Sequence, residues 1–82
     1  MPRSRQGVVV TLEYLSNQTP RVARRGSNET ASEILRDARR YGIPIVTDAN
    51  LSNALESVSM QEEIPEELYG PVAEYLIALK LI

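Results

Sequence analysis

An α/β fold, a small sandwich with helices packed on a short mixed β-sheet, is the architecture this sequence encodes, and three patterns carry that reading. Gly7 to Tyr14 is dense in β-branched and aromatic residues. Ala31, Ile34, Leu35, Ala38 and Tyr41 recur at helical spacing. Ile64-Pro65-Glu66-Glu67 then opens a second apolar stripe through Leu68, Val72, Tyr75, Leu76 and Leu79. The 82 residues suit one domain spanning 1–82, with residues 1–6 expected to be flexible. At this size folding hides only about 60 to 65% of the chain's surface, so a few Leu, Ile and Val side chains must supply most of the core.

The first strand is predicted over 8–14, closed by the turn formers Ser16, Asn17, Thr19 and Pro20. After Pro20 the run Arg21-Val22-Ala23-Arg24-Arg25 reads as a more polar strand over 21–25, completing a hairpin and ending at Gly26. Ser27, Asn28 and Thr30 are all able to cap the helix expected over 29–41, and Thr30-Ala-Ser-Glu33 has capping-box spacing. Gly42 suits its left-handed end. Ile45-Val46-Thr47 follows as a third strand over 44–47 of the fully buried kind. Asp48 and Asn50 then start a short helix over 50–58 that turns Leu51, Ala54, Leu55 and Val58 to one side. The last helix, 66–80, begins behind Pro65 with two acids that suit its positive dipole end, and Gly70-Pro71 is expected to kink it.

Composition narrows the chemistry. Without Cys there is no thiol nucleophile or thiolate ligand, and without His there is no imidazole base and no commonest metal ligand. An enzyme is therefore not expected, nor is a cofactor or a metal site. Glu62, Glu63, Glu66 and Glu67 are explained by the dipole and solubility of a helix start rather than by cation binding. The apolar run Val8 to Val10 is too short for a membrane span, so the chain is read as soluble and cytoplasmic. Residues 1–40 hold eight Arg against four acids, and residues 41–82 one Lys against seven acids. A basic half can attract nucleic acid, which gives the alternative reading of a small regulator. Against it, none of Tyr14, Tyr41, Tyr69 and Tyr75 is read as a stacking platform within an Arg cluster.

Beyond these physical readings, the spelling from Arg39 onward resembles the C-terminal cytoplasmic domain of the type III secretion export-switch family, FlhB with its injectisome relatives YscU, SpaS and EscU. The resemblance rests on Gly42-Ile-Pro-Ile-Val46, Leu51-Ser-Asn-Ala-Leu55, Glu63-Ile-Pro-Glu-Glu-Leu-Tyr69 and Val72-Ala-Glu-Tyr-Leu76. Upstream, Val8-Val-Val-Thr-Leu-Glu-Tyr14 and Thr19-Pro-Arg-Val-Ala-Arg-Arg-Gly26 resemble the family's first strand after its self-cleavage site and the next strand with its Ala-Pro turn.

The resemblance implies a stand-alone, non-enzymatic docking module for flagellar or injectisome export substrates and apparatus proteins, at the cytoplasmic face of the export apparatus. It also implies a shallow peptide pocket, whose matching positions here are Thr19, Pro20, Ser52 and Leu55, with core packing the simpler role for Leu55. Two of the four carry hydroxyls, Thr19 and Ser52, where the family has Ala. Family members cleave themselves within Asn-Pro-Thr-His. The equivalent stretch here, Ser4-Arg5-Gln6-Gly7, has no Asn to attack its own carbonyl, so an intact chain is expected.

Overall fold

The computed structural model describes residues 7–15 and 17–82; the expectation for residues 1–6 lies outside them. The α/β reading holds, with two strands rather than three. Strand β1 (Val9–Glu13) and strand β2 (Arg21–Gly26) form an antiparallel hairpin in which Val9 faces Gly26 and Glu13 faces Arg21. The register slips between Thr11 and Leu12, where Ala23 is left over as a bulge. The bulge keeps Val10, Leu12 and Val22 on the face where Val22 is fully buried.

Helix α1 (Asn28–Arg40) follows almost at once and buries Ala31, Ile34 and Ala38. Its N-terminus differs from expectation. Ser27 is the capping residue, no side chain caps the first turn, and Thr30 lies inside the helix, so the Thr30/Glu33 capping box does not form. The helix starts two residues before Thr30, which is packed so closely on Gly26 that an added Cβ there would overlap its side chain. The C-terminus is as read. Gly42 adopts φ +69, its N–H donates to the Arg39 carbonyl, and the Ile43 N–H donates to the Ala38 carbonyl at 2.8 Å, the paired bonds of a Schellman motif.

The third strand expected over 44–47 is not formed, and the sheet is purely antiparallel. Residues 43–47 have no regular secondary structure and are exposed, and among the described residues 44–47 make no backbone hydrogen bond to other backbone. Ile45, Val46 and Thr47 have the composition of a buried strand, but a strand exists only when an edge reaches it, and a cavity separates these residues from β1.

The opposite edge is occupied by a segment the pattern did not mark. The Gln61 N–H donates to the Val22 carbonyl at 2.7 Å, the Val22 N–H to the Glu62 carbonyl at 3.0 Å, and the Ile64 N–H to the Pro20 carbonyl at 3.0 Å. Residues 61–64 thus lie along β2.

Helix α2 (Ala49–Leu55) ends three residues before the expected 58, because Ser57 and Ser59 favour turns. Val58 reaches the core from the turn that follows. Behind Pro65 a 3₁₀ turn (Glu66–Leu68) runs into helix α3 (Tyr69–Ala78). The irregularity falls at Leu68 rather than at Gly70-Pro71, since a Pro in the first turn of α3 lacks only an N–H that would have no helical partner. Val22, Leu55, Val58, Ile64 and Val72 form the main core cluster, between the sheet and α2 with α3.

Candidate functional site

Two apolar hollows flank α3. The smaller, about 190 Å³, is bounded by Tyr14, Thr19 and Pro20 on one side and by Tyr69, Leu76 and Ile82 on the other. It exists because the turn after β1 brings Thr19 and Pro20 over the start of α3, while Ile64 fills the space beneath. The larger cavity, about 610 Å³, runs between β1 and residues 43–49 and is floored by side chains of α1, α2 and α3. Val72 and Leu76 line both.

The four positions singled out in the sequence therefore divide. Thr19 and Pro20 line the small hollow together. Ser52 and Leu55 line the large cavity, and Leu55 is only 3% exposed, a core residue that shows one edge there. The residues that join Thr19 and Pro20 at the hollow, Tyr14, Tyr69 and Leu76, were legible as strand and helix positions but not as a site. Only the fold brings them together.

A few of the charged groups have defined partners. Asp48 caps α2 by accepting from the Leu51 N–H at 3.0 Å, and its other oxygen accepts from the Tyr75 hydroxyl at 2.6 Å. Those bonds, the one from Tyr75 foremost, hold the Asp48 carboxyl below its ordinary range. The same bond holds the Tyr75 hydroxyl above the usual phenol range. Arg21 pairs with Glu63 at 3.2 Å and Arg24 with Asp37 at 3.1 Å, so two of the three β2 arginines already have acidic partners. Glu63 is thereby explained as an ion-pair partner, and among the described residues no three acids gather to hold a metal.

One aromatic reading needs correction. The Arg40 guanidinium lies 5.7 Å over the ring of Tyr41, which is 71% exposed, so Tyr41 does stand beside a basic pair at the end of α1. Tyr41, expected on the apolar face of the helix, is instead its C-terminal capping residue, outside the last helical turn and facing solvent.

Comparison with known proteins identifies the domain. The sequence model of the FlhB HrpN YscU SpaS Family matches residues 6–79, nearly the whole chain. The chain belongs to that family. It is 31% identical over 70 residues to YlqH, an uncharacterised protein of Bacillus subtilis (strain 168), a match spanning 85% of this chain and 75% of that protein. Its fold is that of a crystal structure of the PscU C-terminal domain, with a TM-score of 0.83 at 26% identity, covering 89% of this chain and 96% of that one. A mutated EscU C-terminal domain superposes with a TM-score of 0.83 at 25% identity, covering 89% and 92%. This FlhB-family chain is thus related to the export-switch C-terminal domain of type III secretion. Among its described residues no helix is long and apolar enough to cross a membrane. Of the stretch aligned with the family's cleavage motif, Gly7 is exposed, and residues 4–6 lie outside the described residues.

Proposed function

We propose that this FlhB-family chain is a non-catalytic docking module of a type III export apparatus, working at its cytoplasmic face. It binds extended apolar segments of export substrates or apparatus proteins at the hollow bounded by Thr19 and Pro20. The observation that supports this reading is the hollow itself: an open apolar surface between the turn and α3, lined by Tyr14, Thr19, Pro20 and Tyr69. Such a surface gains roughly 25 cal/mol for each Å² of apolar area covered. Ser52 and Leu55 act in this scheme as supports of α2 rather than as contacts. Catalysis has no part in it, and the chain stays intact because Ser4 to Gly7 offer no Asn; an intact mass after prolonged incubation checks this.

Calorimetric titration of the chain with peptides from early export substrates, the rod and hook subunits, tests the reading. Binding that falls about tenfold in Thr19→Asp and persists in Ser52→Ala supports it. Equal binding by Thr19→Asp, or capture of no export component, counts against it. The alternative, a nucleic-acid-associated regulator, has the Arg40–Tyr41 pair in its favour, and the ion pairs of Arg21 and Arg24 against it. A salt-dependent gel shift with single-stranded DNA or RNA, lost in Tyr41→Ala, would favour that alternative.

A further inference from the structure

We propose that the C-terminal end of α1 and the turn after it, Arg36 to Pro44, form a contact surface for the anionic face of a lipid bilayer. The arginines lie among the headgroups, and Tyr41 and Ile43 enter the boundary between headgroups and acyl chains. This goes beyond the docking reading and uses neither hollow as a binding site.

Exposure and positive charge coincide here. Arg39 to Thr47 are exposed without a break, the longest such run among the described residues, and the run holds two Arg, a Tyr, two Ile and a Val but no acid. Arg36, Arg39 and Arg40 stand three and four residues apart, so they share one outer face of α1, opposite the buried Ala31, Ile34 and Ala38. Among the described residues none of the three makes an ion pair, and Asp37, the acid between them, is held by Arg24. Glu29 and Glu33 precede them on the helix. The charge of α1 is therefore divided along its length, and its basic end is the one from which Tyr41 and Ile43 emerge.

Arginines alone suit any polyanion; what lies next to them selects the bilayer. Tyr41 is 71% exposed with the Arg40 guanidinium 5.7 Å over its ring, and Ile43 is 46% exposed two residues on. Their placement is fixed by Gly42 at φ +69 and by the bond from the Ile43 N–H to the Ala38 carbonyl. A phenol ring beside a cation suits the membrane interface, with its apolar body inward and its polar tip at the headgroups. An aliphatic side chain gains by leaving water for acyl chains and gains nothing from a phosphodiester backbone. Glu62 and Glu63 lie beyond β2, at the edge of the hairpin away from residues 43–49, so the net charge of −2 is not spread against the contact. Each arginine near an anionic surface strengthens attachment about fivefold, and the three together about a hundredfold.

Cosedimentation of the full chain with vesicles of phosphatidylglycerol and phosphatidylcholine in equal parts, against vesicles of phosphatidylcholine alone, tests the surface. Binding to the mixed vesicles should be at least about tenfold stronger and should weaken as salt rises. Arg36→Gln combined with Arg39→Gln and Arg40→Gln should reduce it at least about thirtyfold. Tyr41→Ser should reduce it about threefold. Glu66→Gln combined with Glu67→Gln should change it less than about twofold, although it alters net charge by nearly as much. All of these positions are exposed, and an unchanged circular dichroism spectrum confirms that each variant is folded. Tyr41→Trp gives the chain its only tryptophan, whose emission should shift to the blue and be quenched by lipids brominated in their acyl chains. Equal sedimentation with neutral and anionic vesicles, undiminished binding by the triple glutamine variant, or unquenched emission overturns the proposal. So does a gain in the Glu66 and Glu67 variant that matches the loss in the arginine variant, since net charge alone is then at work. Binding of single-stranded DNA through the same arginines and Tyr41, with vesicles left unbound, assigns the surface to nucleic acid and overturns it as well. Peptide binding at Thr19 is read separately, and its success or failure leaves this surface unaffected.

Discussion

Along the outer edge of β2, residues 61–64 lay three backbone hydrogen bonds against Pro20 and Val22 and seat Ile64 in the core at 2% exposure. Across a cavity from β1, residues 43–47 form no regular structure, leaving Ile45 44% exposed and its neighbours without backbone partners among the described residues. The segment with strand-like composition is the one left unpaired, and the polar Gln61-Glu62-Glu63 run is the one that pairs. Pairing at a sheet edge is decided by what the fold brings within reach, and β-branched content only records which segments would suit it.

The largest test of this contrast is a pair of truncations. Ile64→Ala should cost about 3 kcal/mol in urea unfolding, since it empties a closed core position. Ile45→Ala should cost less than about 0.5 kcal/mol. Equal losses would mean that 43–47 is packed as firmly as 61–64 and would break the comparison.

Tyr75→Phe should give a smaller loss, and one with a pH signature. Asp48 has its carboxyl lowered in the folded chain, so its contribution is present above the unfolded carboxylate range and is lost as pH falls below about 4. Tyr75 is raised, so its contribution is present at neutral pH and is lost as pH rises beyond about 10. Thermal melts of the variant should show flatter stability profiles at both ends, with the start of α2 at Asp48 loosened in hydrogen exchange.

Lys80 takes φ 61 in the turn that ends α3, with the Leu81 N–H bonded to the Leu76 carbonyl at 2.8 Å. Lys80→Gly should stabilise by about 0.5 kcal/mol, measured in urea, because glycine tolerates that conformation without strain. Last, Glu63→Ala removes an exposed ion pair from the covered edge and should change stability by less than about 0.5 kcal/mol. A larger loss would show that charge, rather than Ile64 and its backbone bonds, holds that edge.

Much of the fold was legible because it is written locally. Gly42 at a left-handed helix end, Asp48 capping α2 and Pro65 ahead of the last helix each act within a few residues of their own position. The hairpin is equally local. What could not be read depends on distant partners: the missing pairing of 44–47 and the docking of 61–64 on β2. The candidate site shows the same division. Thr19 and Pro20 sit together because they adjoin in sequence, whereas Ser52 and Leu55 were grouped with them by family resemblance and face the other cavity. Tyr14 and Tyr69 come to the hollow from opposite ends of the chain, a meeting that no spacing rule anticipates.

Val72 and Leu76 bound both hollows, so α3 is a shared partition, one helix thick. An occupant that shifts this partition in one hollow reshapes the other, and the free energy of that coupling is the same whichever occupant arrives first. An occupant of the larger cavity and a peptide seated beside Pro20 would then report on each other's presence with no contact between them. The sign of the effect follows from whether the two bound states favour the same setting of α3, and titrating one occupant at fixed levels of the other reads it directly.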